Sequence, residues 1–399
     1  MDVARTVLVA GTLLAVLAEM APPLHAGESA APTTSDYHVS ARTGDDNHPG
    51  TADRPWKTIT QAAASVEPGS TVLVAPGVYR AEKFGFKPAG QDFDHPTVFK
   101  FTRSANSKGR AVLTGPDGKT PSFTLQPYVR LEGLWIGGRS PESQKQGASG
   151  AINRPGVQVV GCVFWGGYFQ LLCGNTARNI LFRDNLLVHM GGDWLHHPIY
   201  ISGGPPPTSQ DCRFIGNVFV NGGGFALHCY HKPKNVTMVG NFTTGHMASM
   251  VAQGPGHVIH HNVFWKPRGK PGRPDWNWNA LLPNDVLRFD HNLLGSDHPI
   301  REGGKPKAPP VHNYSLAGIR GTQVDLIPIK RGHRGPLPFI GATERQVDAA
   351  VAWLDAYFLK RSPEEISEDT SDKVRRCLRV LRVKYEPTQR DLGSRPLEQ

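Results

Sequence analysis

A short motif recurs through the middle of this 399-residue chain and restricts its fold more than any other feature. Each copy is a short apolar segment, a bend and a second short apolar segment. Five copies carry Asn at the bend: Asn185, Asn217, Asn241, Asn262 and Asn292. Gly133 and Cys162 take that position in two earlier copies, and the seven positions are spaced by 29, 23, 32, 24, 21 and 30 residues. Such a period is typical of a solenoid with one coil per repeat.

The repeat unit indicates β-structure. Each unit alternates apolar and polar residues with period two and is too short for two helices. The 44 Gly and 34 Pro also disfavour a helical bundle. Because 39% of the residues are hydrophobic and Gly does not recur at every third position, disorder and collagen are excluded. The sequence therefore predicts an all-β solenoid.

The recurring Asn has a structural explanation. Asn tolerates the left-handed backbone angles of a tight bend. Stacked coils lie about 4.8 Å apart, so amides in register are expected to form hydrogen bonds along the stack. We therefore interpret these Asn residues as a structural ladder and not as catalytic groups.

The segment before the repeat adds a family resemblance. Residues 37–40, 44–51, 55–59, 61–64, 68–74 and 76–79 read YHVS, GDDNHPGT, PWKTI, QAAA, PGSTVLV and PGVY. Together with the repeat, they resemble the right-handed parallel β-helix proteins of the pectin-lyase-like type over residues 37–300. The resemblance implies a short helix that caps the first coil. Ile59, Ala62, Ala63 and Val66 supply one apolar face for it.

The two ends of the chain differ from the repeat. Residues 1–26 contain an apolar run at 7–18 and predict a signal peptide, so we expect a secreted, periplasmic or cell-surface protein without an integral membrane segment after its removal. Residues 301–342 are rich in Pro, Gly and basic residues and show no repeat. Residues 343–390 predict a helical tail, with a capping box at 343–346 and a second start at 362–365. The tail is interpreted as a C-terminal cap, with a partner-docking helical pair as the alternative.

The charge of the mature chain suggests an acidic partner. Without residues 1–26 it has 43 basic and 32 acidic residues, a formal net charge of +11. An acidic polysaccharide fits such a body, although charge that serves only solubility fits it equally. Nucleic acid is not expected, because the basic residues are dispersed and the chain is exported.

We expect a monomer that needs no cofactor. Asp45 and Asp46 are interpreted as a turn, with a calcium site as the alternative. Of the five Cys, the four in strand-like segments, Cys162, Cys173, Cys212 and Cys229, are interpreted as buried fillers, with a disulfide as the alternative.

Aligning the coils on the Asn brings a further row of strands into register. Eleven of the 17 His lie between His189 and His298. If Ile199, Ile201, Leu227 and Cys229 point inward, Tyr200 and His228 point outward as neighbours on successive coils. The sequence therefore predicts an exposed surface of His and Tyr side chains on one face of the solenoid.

Families with this fold include lyases that remove the proton α to a uronate carboxylate. That reaction needs a base, an acid at the leaving oxygen and a neutraliser for the carboxylate. We assign His197 or His228 as base, Tyr200 as acid, and Lys232 or Arg183 as neutraliser. Five further residues are assigned to substrate binding: Tyr230, His231, Trp276, Trp278 and Asp193.

Two other functions remain open at this stage. A glycoside hydrolase needs two carboxylates at a defined separation. Residues 191–194 offer only Asp193 where polygalacturonase-like proteins carry an Asp pair, although Asp211, Asp275 or Asp285 could supply the second carboxylate in the folded chain. A non-catalytic carbohydrate-binding or cell-surface protein would instead scatter its outward His and Tyr over several faces.

Overall fold

The protein is described by a computed structural model. It covers residues 36–103, 108–138, 149–166, 170–173, 176–192, 195–204, 208–269, 278–282, 286–295, 298–302, 313–315, 326–328, 333–369 and 372–392. The predicted signal peptide, Asp193 and Trp276 therefore lie outside the described residues.

The described strands form three parallel sheets, which we call the first, second and third sheet. The first sheet contains β1 Asp36–Val39, β2 Thr71–Val74, β5 Thr97–Phe101, β8 Val129–Glu132, β11 Gln158–Val160, β14 Leu181–Arg183, β17 Arg213–Ile215, β20 Thr237–Val239, β23 His257–His260 and β26 Val286–Asp290. The second sheet contains β3 Gly77–Arg80, β6 Ala111–Thr114, β9 Trp135–Gly137, β12 Val163–Trp165, β15 Leu186–Val188, β18 Val218–Val220, β21 Phe242–Thr244, β24 Val263–Phe264, β27 Leu293–Leu294, β29 Asn313–Ser315 and β30 Leu326–Pro328. The third sheet contains β4 Lys83–Phe86, β7 Ser122–Leu125, β10 Ser149–Ala151, β13 Gln170–Cys173, β16 Ile199–Ser202, β19 Phe225–Tyr230, β22 Ala248–Ala252, β25 Trp278–Leu282 and β28 His298–Glu302.

The order of the strands is that of a solenoid. From β2 to β28 the chain visits the first, second and third sheet in turn, and each strand pairs in parallel with the strand one coil away. This is a right-handed parallel β-helix, as the repeat and the resemblance predicted. Strands β29 and β30 extend the second sheet into residues 301–342, where the sequence showed no repeat.

The inside of the solenoid is a continuous apolar core. Alternate side chains of each strand point inward, and Phe side chains of successive coils contact one another. The ring centroids of Phe182 and Phe214, on the successive strands β14 and β17, are 5.5 Å apart. Cys162, Cys212 and Cys229 are buried free thiols in this core, in agreement with their interpretation as fillers.

The Asn ladder is present at the bend between the first and second sheets. The side-chain amide of each Asn donates to the side-chain oxygen of the next over 2.9–3.0 Å, from Asn185 to Asn292, and all five are fully buried. Cys162 extends the ladder, because its backbone N–H donates to Asn185 Oδ1 over 2.8 Å. The expectation that Asn itself adopts the left-handed angles is wrong.

From Cys162 to Asn292, the left-handed residue is the one before each ladder position. At the first bend the left-handed residue is Gly133 itself, and strand pairing places Leu134 opposite Cys162, so the alignment of Gly133 with the Asn residues is wrong by one position. We call these seven residues the corner row: Gly133, Gly161, Asp184, Gly216, Gly240, His261 and His291, with φ between 49° and 68°. The Asn side chain is needed for hydrogen bonds inside the coil, and the preceding residue makes the bend.

A short helix near the N-terminus joins the core as predicted. Helix α1 spans Ile59–Ser65, and Thr58 caps it by accepting a hydrogen bond from the backbone N–H of Gln61. Ile59, Ala62 and Ala63 are buried in the inner core.

Among the described residues, four helices follow the solenoid: α2 Glu344–Lys360, α3 Pro363–Glu368, α4 Lys373–Leu381 and α5 Gln389–Leu392. The predicted capping box at Thr343 is present, and the predicted helix start at Ser362 also forms a capping box. The second predicted helix is divided, since α3 ends at Glu368 and α4 begins at Lys373.

The helical tail packs against the outer face of the second sheet and along the corner row. Leu354 and Phe358 share an apolar cluster with Trp135 and Trp165. The Asp348 carboxylate accepts from Trp265 Nε1 over 3.0 Å and pairs with Lys266 Nζ at 2.7 Å. The tail therefore covers one side of the solenoid, which corrects the interpretation as an end cap. No helix among the described residues is long and apolar enough to cross a membrane.

Candidate functional site

A compact group of aromatic and imidazole rings lies on the third sheet. We call it the His–Tyr patch; its members are His197, Tyr200, Phe225, His228, Tyr230 and His231. The register that places it is confirmed, because Tyr200 pairs with His228 and Ser202 with Tyr230 on adjacent coils. Ile199, Ile201, Leu227 and Cys229 are fully buried, whereas Tyr200 and His228 are half-buried and Tyr230 is exposed. Alternation along the strands therefore produces the outward row.

His228 lies at the centre of the His–Tyr patch. Its ring centroid is 4.2 Å from that of His197, 4.9 Å from Phe225, 5.0 Å from Tyr200 and 5.1 Å from Tyr230. Its Nδ1 is buried and has no hydrogen-bond partner among the described residues. Burial, with a smaller contribution from His231, lowers the pKa of His228 to about 4. The imidazole is therefore neutral near neutral pH and retains a nitrogen that no described protein group uses.

His197 has a different environment from its neighbour. It is 5% exposed, and its Nδ1 accepts a hydrogen bond from the backbone N–H of Phe225 over 3.0 Å. This bond places the proton of the neutral ring on Nε2. Gly224 makes room for the ring, because a side chain at that position would overlap His197 Nδ1. His197 is therefore held in place as a support for His228, and of the two predicted bases His228 is the one with an unused nitrogen.

Tyr200 lies beside His228 with its ring tilted by 53°. Burial raises the pKa of Tyr200, although a hydrogen bond to Ser202 opposes the shift. The phenol is therefore protonated near neutral pH and available as a proton donor. A neutral imidazole and a protonated phenol thus stand on adjacent coils.

The strand that carries His228 ends in an unusual corner. His231 and Lys232 both adopt left-handed angles, with φ of 56° and 60°, and both are exposed. The coils on either side carry Gly203 and Gly254 at this point. A side chain on Gly203 would overlap the His231 carbonyl oxygen, and one on Gly254 would overlap that of Pro233. The two glycines therefore let the corner fit closely between its neighbours and place Lys232 next to the His–Tyr patch.

Among the remaining predicted site residues whose side chains are described, Arg183 is not brought into the patch. Arg183 ends β14 of the first sheet, where its Nε is 3.7 Å from Asp184 and close to the C-terminal tail. Trp278 begins β25 of the third sheet, two strands beyond β19, and only its backbone is described. Asp193 and Trp276 lie outside the described residues.

Sequence reasoning missed Phe225 as a member of the patch. Strand β19 begins at Phe225, whose pairing with Ala248 places it in the third sheet. The apolar Phe225 before a His–Tyr strand offered a signal, but its contact with His197 joins residues 28 positions apart.

A second cluster of titratable groups lies at the far end of the corner row. We call it the corner network; its members are His260, His261, Arg288, Asp290, His291, Tyr385 and Asp391. His260 Nε2 is 3.1 Å from Asp391 Oδ1, and both side chains are buried. Arg288 donates to both oxygens of Asp290 over 2.6 and 3.0 Å.

Within the corner network, potential ligand atoms of His261, Asp290 and His291 lie within 4.8 Å of one another. The imidazoles of His261 and His291 are stacked with 2° between their planes. A metal ion lies in the plane of each imidazole that binds it, and stacked rings have separate planes. Arg288 already neutralises Asp290. The donor set therefore fits a structural network better than a metal site.

The acidic turn near the N-terminus is also engaged. Asp46 Oδ1 accepts from the backbone N–H groups of Lys57 and Thr58 over 2.9 and 2.8 Å. Asp45 Oδ1 accepts from the backbone N–H of Asn47 over 2.9 Å. These contacts organise the turn before α1.

A protein family described as "Protein of unknown function (DUF1565)" matches residues 42–122, which form the first coils. No curated protein matches the chain. Among solved structures, the XylC complex with xylose is 11% identical with a TM-score of 0.49, covering 71% of this chain and 68% of that one. A rhamnogalacturonan lyase is 11% identical with a TM-score of 0.41, covering 74% and 85%. An alginate lyase from Paenibacillus sp. str. FPU-7 is 14% identical with a TM-score of 0.34, covering 67% and 94%. At these identities the similarity carries no information on activity.

Proposed function

We propose that the protein is an exported carbohydrate-active β-helix protein that cleaves an acidic, uronate-containing polysaccharide by β-elimination at the His–Tyr patch. The single observation that carries the proposal is the pairing, on adjacent coils, of a neutral His228 and a protonated Tyr200, both half-buried in the outward row. The two groups are in the protonation states that a base and an acid need at neutral pH.

The proposed reaction assigns one task to each group. Neutral His228 removes the proton α to the uronate carboxylate, and the electron pair of that C–H bond forms the new carbon–carbon double bond. The bond from the β carbon to the glycosidic oxygen breaks, and Tyr200 donates its proton to that oxygen. Lys232, which follows the patch residue His231 in the chain, would offset the negative charge that develops on the carboxylate. The proton on His228 returns to solvent and Tyr200 takes one up.

The surroundings of the patch suit such a substrate. Tyr230 and His231, with ring centroids 4.4 Å apart, extend the surface beyond the base and offer flat faces to a sugar ring. Strands β16 and β19 contain no Asp or Glu. A uronate chain would therefore meet aromatic, imidazole and ammonium groups and no like charge from these strands.

The proposal is tested by incubating the full chain with homogalacturonan, rhamnogalacturonan, alginate and neutral xylan. Product is followed by the ultraviolet absorbance of the double bond conjugated to the carboxylate, and new reducing ends are counted in parallel. We expect absorbance with at least one of the acidic polymers and none with xylan. Reducing ends without absorbance would indicate hydrolysis instead. Binding without either product would leave a carbohydrate-binding protein.

A further inference from the structure

We propose a second binding site, for a small organic anion, in the cleft between α4 and the early part of the corner row. We call it the arginine cleft. Its volume is about 390 Å³. One wall is formed by the bends at Gly133, Gly161 and Asp184, and the other by α4. The volume is typical of pockets that hold small molecules, which range from about 300 to 1,000 Å³.

The charges of the arginine cleft are strongly unbalanced. Four Arg line it, namely Arg110, Arg375, Arg379 and Arg382, together with one acidic residue, Asp184. The Asp184 carboxylate oxygens lie 3.7 Å from Arg183 Nε and 3.9 Å from an Arg382 guanidinium nitrogen. The negative charge of Asp184 is therefore divided between two Arg, one of which is outside the cleft lining. Arg379 has no ionic or hydrogen-bonding partner among the residues that the structure describes. Guanidinium groups that converge repel one another unless an anion lies between them.

The position of these cations is specific to α4. The tail from residue 343 has equal numbers of basic and acidic residues, yet α4 and the three residues after it carry six basic residues and no acidic one. Arg375, Arg379 and Arg382 are three or four residues apart and therefore share one side of the helix. Arg376 does not line the cleft, so the chain places a matched charge outside it.

The remaining surface of the arginine cleft is apolar. Its lining includes Phe101, Trp135, Val163, Leu186 and Leu378. Arg110 lies over the Trp135 ring, 5.3 Å from its centroid, and is 4% exposed. A side-chain carbon at Gly161 would meet no other atom within 4 Å, so the cleft is open at this bend. An apolar floor below several guanidinium groups fits a ligand with a compact body and a carboxylate or phosphate, such as a sugar acid or a sugar phosphate.

The arginine cleft is separate from the His–Tyr patch. It lies at the bends between the first and second sheets, whereas His228 and Tyr200 are on the third sheet. None of its residues takes part in the proposed elimination. Anion binding at the arginine cleft can therefore be tested separately from the proposed elimination, and the failure of one does not imply the failure of the other.

The test is calorimetric titration of the full chain with galacturonate, glucose 6-phosphate and glucose at equal ionic strength. We expect heat of binding with one or both anions and none with glucose. A preference between the anions tells a carboxylate from a phosphate ligand. In the variant Arg375→Gln/Arg379→Gln, binding should weaken by about tenfold or more, because charge-assisted hydrogen bonds are lost.

Two control variants on α4 make the result specific. Arg376→Gln removes the same charge outside the cleft and should leave the dissociation constant unchanged. Arg379→Lys keeps the charge but loses the planar fork and should give an intermediate affinity. The site is refuted if neither anion binds, if glucose binds equally, or if Arg376→Gln weakens binding as much as the double variant. His228→Ala should bind the anion as the wild type does, whatever its activity.

Discussion

The His–Tyr patch and the corner network contain the same kinds of residue but differ in the partners of their His rings. In both, burial holds a histidine in its neutral form: the pKa is lowered to about 4 for His228 and for His261. In the corner network the rings have partners. His261 Nδ1 is 2.9 Å from His260 Nδ1, and its ring stacks on Tyr385 with centroids 4.2 Å apart. In the His–Tyr patch the His228 Nδ1 has none within the described part of the chain.

The difference shows that a low histidine pKa does not by itself indicate a reaction. The corner network lies beneath the C-terminal tail, and its polar groups hold that tail to the solenoid. The His–Tyr patch lies on a face whose outward row is partly exposed, and the buried Nδ1 of its central His228 makes no hydrogen bond to the described residues. The presence or absence of partners, and not the titration, separates a structural cluster from a candidate site.

The variant His228→Ala tests whether the two clusters differ in function as proposed. If His228 is the base, kcat/KM on the responsive polymer should fall by roughly 10²–10⁴-fold. The variant should remain folded at the assay temperature, which thermal unfolding checks, because it loses ring packing but no hydrogen bond of His228 Nδ1 to the described residues. His261→Ala in the corner network is the matched control and should keep its activity. Equal rates for wild type and His228→Ala would remove His228 from the mechanism.

The second prediction concerns the corner network, where we expect a substitution to lower stability and leave activity unchanged. Asp391 accepts hydrogen bonds from Tyr385 Oη, Thr388 N and Thr388 Oγ1 and contacts His260. Asp391→Ala should lower the free energy of unfolding by about 3 kcal/mol, because it leaves buried polar groups without partners. Residues near the C-terminus should become sensitive to protease while activity persists.

Asp372→Ala is the control for that experiment. Asp372 is exposed and pairs only with Arg375 at 3.3 Å within the described residues, so its loss should change stability by less than about 1 kcal/mol. An Asp391 variant as stable as the Asp372 variant would mean that the network does not hold the tail.

The third prediction is a shared pH dependence. An unfolded histidine titrates near 6.5, and the folded pKa of both His228 and His261 is about 4. Between these values the unfolded chain binds protons that the folded chain does not. Stability is therefore complete above about pH 6.5 and is lost as the pH falls toward 4. His228→Phe and His261→Phe should each reduce the difference between urea unfolding at about pH 7.5 and about pH 5. An unchanged difference in either variant would show that its histidine titrates normally in the folded state.

Much of the fold could be predicted from the sequence because the coils repeat. Recurrent Asn at one bend sets the register of every strand, and a pleated strand alternates inward and outward residues. Together these placed Tyr200 beside His228. The left-handed position was assigned wrongly to Asn185 and its equivalents. A motif such as Asp184-Asn185 does not reveal which of two residues bends and which forms the ladder.

The parts that could not be predicted depend on contacts between distant residues. The apolar stripe of α2 shows that one face is buried but not that its partner is the second sheet. The close fit of Gly203 against His231 joins coils through a backbone contact that no side-chain pattern records. Arg183 and His228 lie on successive coils but on different sheets. The spacing of the repeat does not give the angle between the sheets, so the distance between the two side chains could not be predicted.

The smallest predicted effect decides between the two proposed neutralisers. Lys232 is exposed at the corner that follows β19 and adjoins the His–Tyr patch, whereas Arg183 ends β14 and lies near Asp184. Lys232→Ala should raise KM or lower kcat/KM by about fivefold, because a surface ammonium near a carboxylate contributes about 1 kcal/mol. Arg183→Gln should leave both constants unchanged. The two variants are compared on the same polymer at low and high salt, since screening should reduce only the Lys232 effect. A larger loss from Arg183→Gln than from Lys232→Ala would place the carboxylate of the substrate near the first sheet. The His–Tyr patch would then not be the substrate site, and the distinction between it and the corner row, which the tail covers, would be wrong.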